Sequence, residues 1–265
     1  MVKKLFKHEM HALWRLMIPI WCMLGGVSVL GRFIQLFEQN SVAYNIINGS
    51  AIFFYVVSLV ACIACPFVFS VTRFHRNLFS GEGYLSLTLP VTNHQHILIK
   101  LAVAVITQVV TLVAAAISVV LITFGDVAWE IGKAILYLFK VFANAWGAHL
   151  PFYIAEGIIG VIVVFTTETL LFYTCICIGQ QSKKNRILAA VGAYFGFYLI
   201  KQIIGTVVLL IGTQVEWESL FVWIEEHAFA TVHIALCGGI VLEVLVSGLL
   251  YFISHYLITH RLNLE

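Results

Sequence analysis

The chain has 265 residues, of which 61% are hydrophobic and only 11% are Asp, Glu, Lys or Arg, and its formal net charge is +2. Soluble domains carry about 25% charged residues, so a water-filled surround is excluded and most of this apolar surface must face lipid. So small a net charge also gives no basis for a nucleic-acid partner.

A helix needs about 20 mainly apolar residues to cross the hydrocarbon. The first segment, residues 1–15, sets Lys3, Lys4, Lys7 and His11 against Leu5, Phe6, Leu13 and Trp14, the pattern of a surface helix leading into the first span. That span runs from about Leu16 to Ile34 and ends at an interfacial Arg32. No small-residue cleavage site follows it, so it is read as a retained helix, not a signal peptide. The second span covers Ala51 to Val71 without a charge, and the third runs from about Leu98 to Phe124. Between Val127 and Trp146, Glu130, Lys133, Tyr137, Lys140 and Asn144 recur every three or four residues, which predicts an amphipathic helix lying at a membrane interface over 127–146. A seventh span there would bring charges into hydrocarbon. The remaining spans are Ile154 to Gly179, Ile187 to Gly212 and Val232 to Ile258, with a short helix expected in the 213–231 connection, around Leu220 to Ala230.

Lys and Arg collect in short cytoplasmic loops. With both termini inside, Lys3, Lys4, Lys7, Arg15, Arg73, Arg76, Lys100, Lys183, Lys184, Arg186 and Arg261 are cytoplasmic, and Arg32, Lys133 and Lys140 are outside. Eleven of the fifteen basic residues then share one side, and Glu216, Glu218, Glu225 and Glu226 fall on the other. The fold class is therefore all-α integral membrane: one transmembrane domain over 1–265, six transmembrane helices, both termini cytoplasmic, and amphipathic surface helices at the N-terminus and in the outer loops.

No catalytic constellation is present. His8-Glu9-Met10-His11 is one residue short of the HExxH zinc motif, and there is no GxSxG elbow, Gly-rich dinucleotide turn or phosphate loop. Cys22, Cys62, Cys65, Cys175, Cys177 and Cys237 all sit in apolar stretches and read as free buried thiols. The chain is expected to be a non-enzyme with no catalytic, cofactor-binding or metal-binding residues. The charges inside the spans are more informative, because each costs about 2.5–3.5 kcal/mol near the bilayer centre. Lys201 and Glu243 lie at similar depth and Glu168 somewhat deeper, so Lys201 is expected either to pair with Glu168 or Glu243, positioning helices, or to line a substrate path with them. Gly192 and Gly196 form a GxxxG pair that allows close helix packing, within the chain or across a dimer.

The most distinctive segment is the cytoplasmic connection over 72–97. It mixes Arg73 and Arg76 with Leu78, Phe79, Tyr84, Leu85, Leu87 and Leu89, interrupted by Ser80-Gly81-Glu82-Gly83 and by Pro90, which is more apolar surface than a solvated loop needs. Through Arg73-Phe74, Asn77-Leu78-Phe79, Glu82-Gly83-Tyr84-Leu85 and Thr88-Leu89-Pro90 it resembles the membrane subunit of type-2 ATP-binding-cassette exporters, in particular the small six-span permeases of Gram-positive bacteria. The resemblance implies that this loop carries the helix coupling the permease to a cytoplasmic ATPase, with Arg73, Arg76, Leu78, Phe79, Glu82, Gly83, Tyr84 and Leu85 as the coupling residues. It implies a plasma-membrane exporter in which two permease copies, as homodimer or heterodimer, meet two ATPase subunits that bind ATP and Mg. The very apolar spans are similar to those of exporters of amphipathic peptides, such as toxins and antimicrobial peptides. An ion-coupled carrier or channel using Lys201, Glu168 and Glu243, or a non-transporting immunity or scaffold protein, is the alternative.

Overall fold

The computed structural model describes residues 2–37, 41–79, 92–123, 126–182, 185–213 and 227–260, without the side chains of 126–129, 131, 135, 139, 145, 148 and 228. Every regular element among them is helical: α1 (Val2–Gln35), α2 (Val42–Phe79), α3 (Asn93–Ile122), α4 (Asp126–Trp146), α5 (Leu150–Gly179), α6 (Arg186–Gly212) and α7 (Ala228–His260). All but α4 are long and apolar enough to cross a membrane, which gives the expected six spans. The helix expected around Leu220 to Ala230 falls mostly outside the described residues.

Local chemistry sets the helix ends. Thr92 and Gln95 form a reciprocal capping box at the start of α3: the Gln95 N–H donates to Thr92 Oγ1 and the Thr92 N–H to Gln95 Oε1, each at 3.4 Å. Gly147, at φ +49, directly follows the last residue of α4 in the left-handed conformation that glycine tolerates best. A single 3₁₀ turn then leads into α5, where Pro151 occupies the first turn and forfeits no intrahelical bond.

The chain divides into two compact units: residues 1–73 with 90–145, and residues 74–89 with 146–265. In the first unit α1 and α3 pair along their length. Lys100 meets Glu9, Trp21 Nε1–H donates to Thr111 Oγ1 at 3.1 Å, and Ile122 stands against Gly31. The two hydrogen-bonded pairs are separated by 91 and 90 positions in the chain, so the helices run parallel in nearly constant register. α2 completes the packing: Tyr55 and Cys62 join Leu24 and Ile122 in a core, and the Tyr55 hydroxyl lies 3.1 Å from that of Ser118.

The helix expected over 1–15 does lead into the first span. α1 runs unbroken from Val2 to Gln35. Leu5, Phe6 and Leu13, expected to face the membrane surface, instead pack with Ile99, Val103 and Phe69 of α3 and α2.

The second unit repeats the parallel pairing. The Tyr153 hydroxyl donates to the Phe229 carbonyl at 3.0 Å, Thr167 to the Glu243 carbonyl at 3.3 Å and Thr174 to the Leu250 carbonyl at 3.1 Å, always 76 positions ahead. α5 and α7 are therefore also parallel, and the donors fall at multiples of seven residues, the spacing that keeps one seam facing a partner helix. Gly160 belongs to the same seam, against Ile240. α6 returns antiparallel to α5: Tyr194 stacks on Phe172 with ring centroids 5.4 Å apart, and Ala190 abuts Gly179.

Two glycines in α5 should respond differently to substitution. A Cβ on Gly179 would stand 2.6 Å from Ala190 Cβ and 2.7 Å from the Arg186 carbonyl oxygen, whereas one on Gly160 would meet nothing closer than 3.8 Å. Gly179→Ala is expected to cost about 1–3 kcal/mol through overpacking, read as a lowered unfolding midpoint in detergent, while Gly160→Ala leaves the midpoint unchanged.

Candidate functional site

The end of the first unit that carries the N-terminus holds a buried ion cluster. On α1 the residues turned inward are Glu9, Leu13, Met17, Leu24, Ser28 and Gly31, a stripe of helical spacing that begins with an acid. Glu9 Oε1 accepts from Lys100 Nζ at 2.6 Å and Oε2 from the Arg73 guanidinium at 2.8 Å. Glu9 and Lys100 are each 6% exposed. A carboxylate held away from water at this level persists as an ion only with close cations, and this one has two. Arg73 closes the spanning part of α2 and Lys100 belongs to the opening turns of α3, so one carboxylate ties together both stems of the connection that leaves α2 and enters α3.

Beyond Arg73, the last turn of α2 belongs to the second unit. Phe74 is fully buried and stacks on Tyr173 of α5 at 3.8 Å, and His75 Nε2 lies 2.8 Å from the Gln180 side-chain nitrogen. Leu78 and Phe79, expected as docking surface, are 1% and 8% exposed. Their apolar side chains fill this chain's own interior, Phe79 edge-on to Phe74 with centroids 6.1 Å apart. Arg73 likewise serves the internal cluster, and Arg76 is exposed. Glu82, Gly83, Tyr84 and Leu85 lie outside the described residues. Beside this turn His75, Phe79, Asn185, Arg186, Ile187, Leu188 and Val191 line a groove of about 670 Å³.

Of the charges within the spans, Lys201 Nζ meets Glu168 Oε1 at 3.1 Å. Of the two acids expected, the partner is thus Glu168. Among the described residues no ion pair joins Glu243, whose backbone carbonyl instead receives the Thr167 hydroxyl. The Lys201 and Glu168 side chains are 47% and 35% exposed, on the face where α6 meets α5. Within the second unit no heavy atom of another described helix lies within 4 Å of where a Cβ would stand on Gly192 or Gly196.

Sequence reasoning missed two constellations. One is the Glu9 cluster, for which the available signal was a lone acid in register with the inward stripe of α1. The other surrounds Glu156. His233 Nδ1 lies 2.7 Å from Glu156 Oε1, the Tyr153 and His233 rings stack at 4.1 Å, and the Cys237 thiol points at the same oxygen at 3.6 Å. No sequence signal marks it: Tyr153 and Phe229 are 76 positions apart and Glu156 and His233 are 77 apart, and only the parallel pairing of α5 with α7 brings them together. Among the described residues no group of three or more His, Cys, Asp or Glu could hold a metal ion.

No family model, curated protein or solved structure matches this chain.

Two double-mutant cycles test these ion pairs. Removing one partner of a buried pair costs on the order of 3 kcal/mol, so Glu9→Gln should sharply lower the folded yield and unfolding midpoint, and Glu9→Gln with Lys100→Met should recover part of the loss. In the second, Lys201→Met should be rescued by Glu168→Gln and not by Glu243→Gln, with size-exclusion yield as the measurement.

Proposed function

We propose that this chain is the membrane-spanning half of an ATP-driven exporter in the plasma membrane of a Gram-positive bacterium, moving an amphipathic substrate, such as a peptide toxin or antimicrobial peptide, out of the cytoplasm or inner leaflet. Two copies pair, and each engages a separate cytoplasmic ATPase that binds ATP and Mg and performs the hydrolysis. Both termini and the 72–97 connection lie in the cytoplasm, in keeping with the sidedness of Lys and Arg. α4 rests in the outer interface.

The observation that carries the reading is the joining of both stems of that connection by Glu9. A loop hinged on two independent helices would dissipate a push from a docked partner in local bending. With Arg73 and Lys100 held by one carboxylate of α1, displacement of the connection moves α1, α2 and α3 together. The exporter-like residues Glu82, Gly83, Tyr84 and Leu85 sit between these stems in sequence, and they, with exposed Arg76, provide the surface that Leu78 and Phe79 do not. A second copy packs along the Gly192 and Gly196 face of α6, where no other described helix of the second unit lies within reach.

A second reading, an ion-coupled carrier or channel without an ATPase, is favoured by one observation: the Lys201 and Glu168 pair is half exposed within the spans. In the exporter the same pair lines the polar side of the substrate path.

The deciding experiment is coexpression with the products of the neighbouring reading frames and a test for a copurifying ATPase. Tyr84→Ala should weaken ATPase binding by about 1–3 kcal/mol, the usual range for an interface anchor, and leave the permease folded, whereas Phe79→Ala should lower the yield of the permease itself. Undiminished copurification and substrate-stimulated hydrolysis with both Tyr84→Ala and Gly83→Val would remove the exporter reading. Sidedness is checked by single cysteines: position 184 should label only from the cytoplasm and position 130 only from outside.

A further inference from the structure

At the far end of the first unit from the Glu9 cluster, the last turn of α1, the first turns of α2 and the end of α3 line an open cavity of about 470 Å³, within the usual size of small-ligand sites. Its lining is layered. Arg32, Gln35, Tyr44, Asn48 and Thr123 come from the helix ends, and Ile52, Tyr55, Val56 and Ile122 lie nearer the middle of the unit. From Asn48 to Val56 the α2 axis advances about 12 Å at 1.5 Å per residue, so the cavity is polar at the helix ends and apolar toward the span.

Two observations indicate what fills the polar end. Arg32 is a cation whose one hydrogen bond among the described residues goes to the neutral Gln35 side chain, at 3.4 Å, which leaves most of its planar fork of donors without an acceptor. The Asn48 side-chain oxygen is buried with no hydrogen-bond partner, a condition that costs free energy unless a ligand or water supplies the bond. Arginine matches the oxygens of a phosphate in paired geometry, and a buried amide oxygen needs a hydroxyl or amine donor. An acidic phosphate beside a donor group, continuing into a hydrocarbon tail, satisfies both ends of the cavity.

We propose that this cavity binds one anionic phospholipid whose head bears hydroxyl groups, phosphate on Arg32, head hydroxyl on Asn48, and the start of an acyl chain along Ile52, Val56 and Ile122. The site belongs to the first unit alone and does not depend on whether the chain exports anything. Lipid held there fastens the ends of α1 and α2 at the side of the unit opposite the Glu9 cluster.

The test is lipid retention by the full-length purified protein. The chain is extracted in mild detergent, incubated with phosphatidylglycerol or phosphatidylcholine, and weighed intact by native mass spectrometry. The expected result is one phosphatidylglycerol per chain, with phosphatidylcholine, which keeps the phosphate but has no head hydroxyl to donate to Asn48 and carries its own cation near Arg32, retained about tenfold less. Arg32→Gln should reduce phosphatidylglycerol retention about tenfold, and Val56→Trp, which fills the apolar end, should reduce it for both lipids. Glu38→Gln, which removes the nearest acid after Arg32 in the sequence, should leave retention undiminished. The unfolding midpoint of each variant without lipid reports folding, and Asn48→Leu replaces any variant that fails it. Equal retention of the two lipids, or retention indifferent to Arg32→Gln and Asn48→Leu, would overturn the proposal. Displacement of the bound lipid by millimolar inorganic phosphate would overturn its lipid part, because the head alone would then account for binding.

Discussion

In hydrocarbon, apolar side chains gain little by leaving lipid for another apolar surface, so what holds the helices together must be close packing and polar groups turned toward one another. α3 follows this rule along its whole length. His96, Lys100, Thr107, Thr111 and Ser118 are buried, while Leu98, Ile106, Leu112, Val113, Ile117 and Val120 are exposed. A soluble protein would place the two sets the other way round. The spacing of the inner set, four and seven residues, gives one continuous seam against a parallel neighbour.

A parallel pair in constant register needs a small or hydrogen-bonding residue each time the seam returns. In α5 these are Tyr153, Gly160, Thr167 and Thr174, and in α1 Gly31 admits Ile122. Threonine suits this position because its hydroxyl can bond the carbonyl of its own previous turn and still lie against the next helix. Thr174 does so, with the Leu170 carbonyl at 2.8 Å and the Ser254 hydroxyl also at 2.8 Å. Gly179 is the tighter case, since the α5 and α6 backbones approach there to a distance that leaves no room for a methyl group. α6 makes so few other contacts that none of its residues is buried; stacking at Tyr194, the close approach at Gly179 and the Lys201 to Glu168 pair attach it to α5.

The six spans were legible because hydropathy over about 20 residues is a property of the sequence alone, and α4 was legible because its polar residues recur with helical period. The choice of Glu168 over Glu243 was not, because depth along a helix says nothing about which face a side chain occupies; that required the register between α5 and α6. The burial of Leu78 and Phe79 was hidden for a related reason. Apolar residues at the end of a span fit lipid, a partner or the chain's own interior equally well, and only Tyr173, a hundred residues away, decides among them through its stack on Phe74. Glu9 was overlooked because the surrounding Lys3, Lys4, Lys7 and His11 suggest an exposed basic helix.

The length of α1 accounts for that last point. Its 34 residues make a rod about 51 Å long, against a hydrocarbon core about 30 Å thick. If the apolar run from Leu16 onward fills the core, the turns before it project beyond the hydrocarbon, and a helix of that length on its own would have water on every side there. It does not, because Leu13 is buried, and Leu5 and Phe6 partly buried, against Ile99, Val103 and Phe69 of α3 and α2. That cover brings Arg73 and Lys100 toward the inner face of α1, where two unbalanced cations would be costly to bury. Glu9 is the acid on that face, and with it in place the projecting turns can remain packed where the hydrophobic effect, absent deeper in the bilayer, contributes again.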